Sequence, residues 1–213
     1  MARELKRFQL IERTLIKTYR KELWNPFIQG VKSNKLVCDG DKILIRLDNT
    51  AESMLLVKLM QQLKRVSETE FELYITGGES CAENAELLNI PLSDFDVGYN
   101  KLAVCDTLTD VCEEVLYGLF YGGVISSPLP GENGIIRPLY CVSRNAVSKW
   151  VKLNELEFSA RKTERKTAEI LKNLKKQNPD IENNILNSLS SLCLDTMPGY
   201  LKDGIHHSFL ETY

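Results

Sequence analysis

The sequence predicts an α/β fold: a parallel sheet with helices on both faces, extended by helices toward the N- and C-terminal ends. Three observations point to it. Short β-rich runs, KILIRL at 42–47, FELYI at 71–75 and KLAVC at 101–105, alternate with helical patterns, and strands separated by helices pair in parallel with both faces covered. The 213 residues suffice for one sizeable α/β domain with helical additions. A composition of 43% hydrophobic and 26% charged residues is that of a globular chain rather than a disordered one.

Each element follows from local pattern. Leu5, Phe8, Leu15, Tyr19 and Leu23 recur at helical spacing, so the first stretch reads as an amphipathic helix that Asn25-Pro26 breaks. A second helix is expected from Pro26 toward Val37, with proline at its start, where a missing N–H does no harm. Asp39-Gly40-Asp41 makes a turn into KILIRL, and a helix carrying Met54, Leu55, Leu59 and Leu63 follows that strand directly. FELYI leads through Thr76-Gly77-Gly78-Glu79, a turn without the lysine or Ser/Thr of a Walker motif, to a short helix from Ala82 to Asn89. KLAVC leads into a helix from Asp110 to Tyr121, and the glycines and prolines between Gly122 and Gly134 make a loop. IIRPLYCV is expected to be extended because Pro138 restrains its neighbour, and Ser143 is a candidate N-cap for a helix through Trp150. A basic helix from Thr163 to Gln177, a break at Asn178-Pro179, a further helix to Leu192 and an irregular tail complete the chain. The expected organisation is an N-terminal helical extension over 1–38, a shortened α/β domain over 39–158, and a C-terminal helical region and tail over 159–213.

Charge is segregated although the net value is only −2. Arg3 to Glu22 and Arg137 to Lys176 are basic, whereas Lys101 is the only base between Val66 and Glu114. An anionic partner would be drawn to the basic segments and repelled by the middle. No stretch approaches the roughly 18 apolar residues that cross a bilayer, and MARELKRFQL lacks the apolar segment of a signal peptide. The expectation is a cytoplasmic chain with no membrane partner. Cys38, Cys81, Cys105, Cys112, Cys141 and Cys193 are scattered without a C-x-x-C pair, and isolated cysteines in apolar runs read as small buried hydrophobes. His206 and His207 sit in a polar tail with no acid–base constellation nearby.

GDKILIRLDNTAESMLLVKLM at 40–60, ENAELLNIP at 83–91, NKLAV at 100–104, GLFYGG at 118–123, IRPLY at 136–140 and NPDIENNILNSL at 178–189 form a colinear series. Together they resemble the PP-loop ATP pyrophosphatases, specifically the tRNA 2-thiocytidine synthetase group, over nearly the whole chain. The resemblance implies a Rossmann-like (adenine nucleotide alpha hydrolase-like) fold that adenylates a tRNA base with ATP and delivers sulfur. It also implies magnesium-dependent nucleotide chemistry and an iron–sulfur cluster held by a C-x-x-C pair and a further cysteine.

The motifs depart from that pattern. The S-G-G-x-D-S fingerprint aligns with Asp48, Asn49, Thr50, Ala51, Glu52 and Ser53, of which only Ser53 matches. Side chains at Asn49 and Thr50 stand where backbone would approach phosphate. A carboxylate at Asp48 would repel a like charge about 4 Å away by roughly 4 kcal/mol at an effective dielectric of about 20. Asn49 and Glu52 instead suggest a capping box. The G-H-H-x-D-D motif aligns with Cys105 to Asp110 and retains only Asp110, which reads as a helix cap. The segment that would carry the cysteine pair is missing, and FSAR at 158–161 stands near the later cysteine. Arg137 is a possible RNA contact. The expectation is therefore a degenerate family member without catalytic residues, ATP, magnesium or cluster. It would bind tRNA, or pair as a homodimer or as a heterodimer with an active paralogue. The alternative is an active ATP-dependent tRNA sulfur-transfer enzyme with a site rebuilt around Ser53 and Asp110.

Overall fold

A computed structural model describes residues 5–93, 98–122, 134–161, 166–191, 193, 197–202 and 204–209. Four parallel strands, β1 (Lys42–Leu47), β2 (Glu72–Gly77), β3 (Lys101–Ala103) and β4 (Ile135–Ile136), form a sheet in the order β2-β1-β3-β4. β1 is central, pairing with β2 from Lys42↔Glu72 to Leu47↔Gly77 and with β3 from Ile43↔Lys101 to Ile45↔Ala103. Its burial pattern is that of a strand covered on both faces, with Ile43, Leu44, Ile45 and Leu47 all buried. The predicted α/β parallel architecture is the observed one.

By contacts the chain divides into two units, 1–111 with 128–163, and 112–127 with 164–213. The first unit holds the sheet, α1 (Arg7–Ile16), α2 (Asn25–Ser33), α3 (Ala51–Val66), α4 (Ala82–Leu87), the start of α5 (Leu108–Tyr121) and α6 (Arg144–Leu153). α3 is the helix around which this unit packs. Every residue from Glu52 to Met60 is buried, as in a helix covered on all sides. That sequence includes a lysine. Lys58 has a fully buried side chain, and its ammonium donates to Glu12 Oε1 at 2.6 Å, Gln61 Oε1 at 2.7 Å and the Leu88 carbonyl at 2.8 Å. Three acceptors for three N–H donors make the burial tolerable, and they tie α1 and the end of α4 to α3. Trp150, fully buried on α6, donates its indole N–H to the Thr14 hydroxyl at 3.1 Å and secures α6 to α1.

The second unit contains the rest of α5, α7 (Thr167–Gln177), α8 (Ile181–Leu189) and an antiparallel hairpin of β5 (Gly199–Lys202) and β6 (Ile205–Ser208). The Thr167 hydroxyl donates to the Glu113 carbonyl at 3.0 Å, and Lys175 pairs with Glu182 at 2.8 Å. Among the described residues no helix is long and apolar enough to cross a membrane.

Several local expectations are corrected. The chain does not break at Asn25-Pro26. The interruption falls at Lys17–Tyr19, after which a π-helical turn, Arg20–Trp24, runs into α2, because proline near a helix start costs no hydrogen bond. IIRPLYCV is strand only at Ile135–Ile136. Beyond Arg137 it folds into successive turns, with Tyr140 N–H donating to the Arg137 carbonyl and Val142 N–H to that of Leu139. The irregular tail is the β5–β6 hairpin, turned at Gly204 with φ of +75° and carrying His206 and His207. The Gly122–Gly134 loop and the first residues of the basic helix at 163 lie largely outside the described residues.

Replacing Lys58 by methionine removes the donor to Gln61 Oε1 and to the Leu88 carbonyl and leaves Glu12 with Arg65 alone. A loss of about 3 kcal/mol of unfolding free energy is expected in urea titration. A change below about 0.5 kcal/mol would show that the ammonium does not hold these elements together.

Candidate functional site

The chain leaves β1 toward β2 on one side and returns to β3 on the other, so the carboxyl ends of β1 and β3 flank the point where the connections diverge. Open α/β sheets hold ligands at that point. Two loops meet there, Asp48–Thr50 after β1 and Val104–Thr107 after β3.

The first loop turns from strand to helix within three residues. Asn49 carries a φ of +60°, a left-handed conformation that asparagine tolerates and a β-branched residue resists. Thr50 then adopts an extended conformation and caps α3, its hydroxyl accepting from Ser53 N–H at 3.3 Å. The capping box expected of Asn49 and Glu52 is therefore displaced by one residue: Asn49 makes the turn and Thr50 makes the cap. Ala51 opens α3, and Ser53, fully buried, donates its hydroxyl back to the Thr50 carbonyl at 3.1 Å.

Asp48 folds back onto this loop. Its Oδ1 accepts from the Thr50 hydroxyl at 2.6 Å and from the Thr50 N–H at 3.1 Å. Burial acts to raise its pKa, but the hydroxyls of Ser53 and Thr50 and the Thr50 amide outweigh it and hold the carboxyl below the ordinary aspartate value. The loop thus carries its own anion.

A strap formed by residues 157–161 lies along the loop. Ser159 N–H donates to the Asn49 carbonyl at 2.9 Å, making an isolated parallel bridge between Thr50 and Ser159. Asn84 Nδ2 donates to Asn49 Oδ1 at 2.9 Å and to the Glu157 carbonyl at 3.1 Å. Arg161 closes the strap over the end of β3. Its guanidinium donates to the Cys105 carbonyl at 3.0 Å and to Asp106 Oδ1 at 2.8 Å, and lies 3.3 Å from Asp110 Oδ2.

Two further arginines complete a network. Arg137 Nε donates to Asp106 Oδ2 at 3.1 Å, and Arg144 Nη2 to Asp110 Oδ1 at 2.7 Å. Asp110 and Thr107 also cap the start of α5 reciprocally, Thr107 N–H donating to Asp110 Oδ2 at 2.8 Å and Asp110 N–H to the Thr107 hydroxyl at 3.4 Å. Burial pushes the Asp110 pKa up, but the Thr107 hydroxyl and amide with Arg144 and Arg161 prevail and hold it down. The Cys105 thiol, by contrast, is pushed up to about 12, chiefly by burial, with Arg161 opposing and Asp48, Asp106 and Glu52 adding to the rise. It stays protonated at neutral pH and is no nucleophile.

Beside the first turn of α3 lies a cleft of about 560 Å³. Val147 and Val151 of α6, with Leu156 and Phe158 of the strap, give it apolar walls, and Glu52 and Arg161 supply charge. The Phe158 ring stacks on Trp150 at a centroid distance of 6.5 Å.

The structure brings Asp48, Thr50 and Ser53 into one hydrogen-bonded group and gives Asp110 two arginines as well as a cap role. It sets Arg137 against Asp106. Arg144, Arg161, Asp106, Asn84 and Ser159 were not singled out from sequence as site residues, and the basic run from Arg137 to Lys176 was the only signal for the arginines. Among the described residues no group of three or more His, Cys, Asp or Glu side chains converges to hold a metal ion.

No protein-family model matches the chain. It is similar to the tRNA-cytidine(32) 2-sulfurtransferase of Geotalea daltonii, 23% identical over 231 residues that cover 81% of this chain and 92% of that protein. Among solved structures it is similar to the U34-tRNA thiolase NcsA from Methanococcus maripaludis with its [4Fe-4S] cluster. That likeness has a TM-score of 0.60 over 84% of this chain and 80% of the other, at 15% identity. The fold is that of a tRNA thiolase. This comparison corrects the expectation that ATP, magnesium and an iron–sulfur cluster are lost. That inference rested on loop residues and on a missing cysteine pair, and a solved structure of the same fold holds its [4Fe-4S] cluster.

Removing the carboxylate in Asp48→Gly is expected to tighten ATP binding in magnesium by tenfold or more in calorimetry. Unchanged affinity would take Asp48 out of the account. For Asp110 the folded pKa lies below the ordinary 3.8, so its contribution to stability is complete above that value and vanishes as pH falls through the lower folded value. Asp110→Asn should show a shallower loss of melting temperature than wild type between about pH 5 and pH 2; parallel curves would contradict the assignment.

Proposed function

We propose that this chain is a tRNA-binding protein built on the tRNA-thiolase fold, and that it does not itself carry out pyrophosphatase and thiolation chemistry. The observation that carries this reading is the position of the Asp48 carboxylate, which takes the Thr50 amide and hydroxyl at the turn into α3. Adenylating chemistry at such a turn needs backbone donors aimed at phosphate oxygens as charge develops. Here a donor of that turn serves an internal anion, and the anion repels a second one. Binding of tRNA is supported by similarity to a tRNA-modifying protein over 92% of that protein's length and by the three arginines, each about a quarter exposed, at the sheet's carboxyl edge.

A second reading, an active ATP-dependent tRNA sulfurtransferase with a rebuilt site, is favoured by one observation. Asn49 preserves a left-handed turn, so opening the loop requires moving one side chain rather than remaking the backbone. Pairing with a second chain is a further proposal, motivated by Tyr117, Phe120 and Tyr121, which stand exposed on one face of α5.

Mass spectrometry of tRNA nucleosides from cells with and without the gene separates the two main readings. Unchanged thionucleosides are expected, together with retardation of tRNA that weakens linearly in log salt. Loss of a thionucleoside in the deletion strain would replace the first reading by the second, and absence of tRNA retardation at low salt would remove both.

A further inference from the structure

We infer that the strap, residues 157–161, is a hinged lid over the carboxyl ends of β1 and β3, latched by Arg161, and that it opens as a unit while the sheet beneath it stays folded. The two ends of the strap are held by different physics. At its start the chain leaves α6 through Glu155, whose φ is +51°, and Leu156 N–H donates back to the Val151 carbonyl at 3.1 Å. Hinges are found at such helix-terminal positions. Leu156 is buried and Phe158 stacks on Trp150 at a centroid distance of 6.5 Å, so apolar packing anchors this end to α6. Beyond Phe158, hydrogen bonds and ion pairs take over. Ser159 and Ala160 are exposed. Ser159 N–H donates to the Asn49 carbonyl at 2.9 Å, and its hydroxyl accepts from Asn49 Nδ2 at 3.3 Å. Arg161 holds the Cys105 carbonyl, Asp106 and Asp110. Ser159 thus reaches the loop after β1 and Arg161 the loop after β3, and the strap spans the crevice between them.

The latch is built so that releasing it leaves no charge stranded. Asp106 is shared between Arg161 and Arg137, and Asp110 between Arg161 and Arg144. When Arg161 swings out, each acid keeps another arginine, so the large penalty of a buried unpaired charge is avoided. The guanidinium itself goes to water, to which its side chain is already 23% exposed, and ion pairs that meet solvent are weakened further by salt. The Ser159–Asn49 hydrogen bonds are exchanged for bonds to water at little net cost. A segment held in this way opens at a lower free energy than a core strand. Moving residues 159–161 aside uncovers the Asn49 carbonyl and the Cys105 thiol, which lies 3.8 Å from Arg161 Nη1. It also widens the cleft of about 560 Å³, one wall of which Ser159, Ala160 and Arg161 supply.

Hydrogen exchange followed residue by residue by NMR on the full chain tests this, together with maleimide labelling of Cys105 located by mass spectrometry. Relative to its intrinsic rate, the Ser159 amide should exchange about 100-fold faster or more than the amides of Leu44 and Ile45 in β1. Arg161→Gln should speed Ser159 by a further factor of about ten and leave β1 unchanged. Labelling of Cys105 should accelerate in parallel. Arg161 lowers the Cys105 pKa, so its loss alone would slow the thiol, and faster labelling therefore reads access. Raising salt from about 50 to about 500 mM should accelerate Ser159 exchange about threefold in wild type and leave Arg161→Gln unaffected. Asp106→Asn loosens the latch from the other side and should speed Ser159 by about threefold, which keeps the latch open to test if Arg161→Gln fails to fold. Exchange of Ser159 in step with β1 means that the strap opens only with the whole unit and overturns the inference. So does an unchanged Ser159 rate in either variant that folds. Equal loss of protection at Ser159 and in β1 in Arg161→Gln makes Arg161 part of the folding core and overturns its role as a latch.

Discussion

Asn49 takes a backbone φ of +60° because β1 must hand over to α3 within three residues, and the rest of the site hangs from that turn. The left-handed step puts Thr50 in place to cap the helix and folds Asp48 back over the loop. It also aims the Asn49 carbonyl and side chain at the 157–161 strap, where Ser159 and Asn84 meet them. A residue that resists positive φ at position 49 would cost the turn about 1–2 kcal/mol, and with it the register of strap, loop and helix.

The arginine–aspartate network has a different character. Arg137, Arg144 and Arg161 come from three places in the second half of the unit and converge on Asp106 and Asp110 at the end of β3. Partly exposed ion pairs contribute modestly to stability one by one. Connected, and with Asp110 tied into the α5 cap, they fix the orientation of the strap relative to the sheet edge, and a network of this kind is worth more as positioning than as folding energy.

The first unit buries charge in two contrasting ways. Lys58 is fully enclosed and meets three acceptors, so its burial is structural and complete within the chain. Glu52, six residues earlier on the same helix, lines the cleft beside the strap together with Arg161 and Lys152. An enclosed charge with all its bonds made belongs to the scaffold, whereas one at a cleft keeps access to water.

By itself the sequence determined the alternation of strands and helices, the parallel sheet, the caps at Ser143 and Asp110, and the departure of Asp48–Ser53 from a phosphate-binding fingerprint. These are properties of periodicity and of side-chain chemistry over a few neighbouring residues. It misplaced what depends on backbone conformation not dictated by residue type: the cap at Thr50 rather than Asn49, the uninterrupted entry into α2 at Pro26, the turns after Ile136 and the β5–β6 hairpin. Only the tertiary structure decided the partners of Arg137, Arg144 and Arg161, the crossing of the strap over the loop, and the exposure of Glu52 to a cleft. Those contacts join residues tens of positions apart, and an ion pair or a cleft wall has no spacing along the chain by which it could be read.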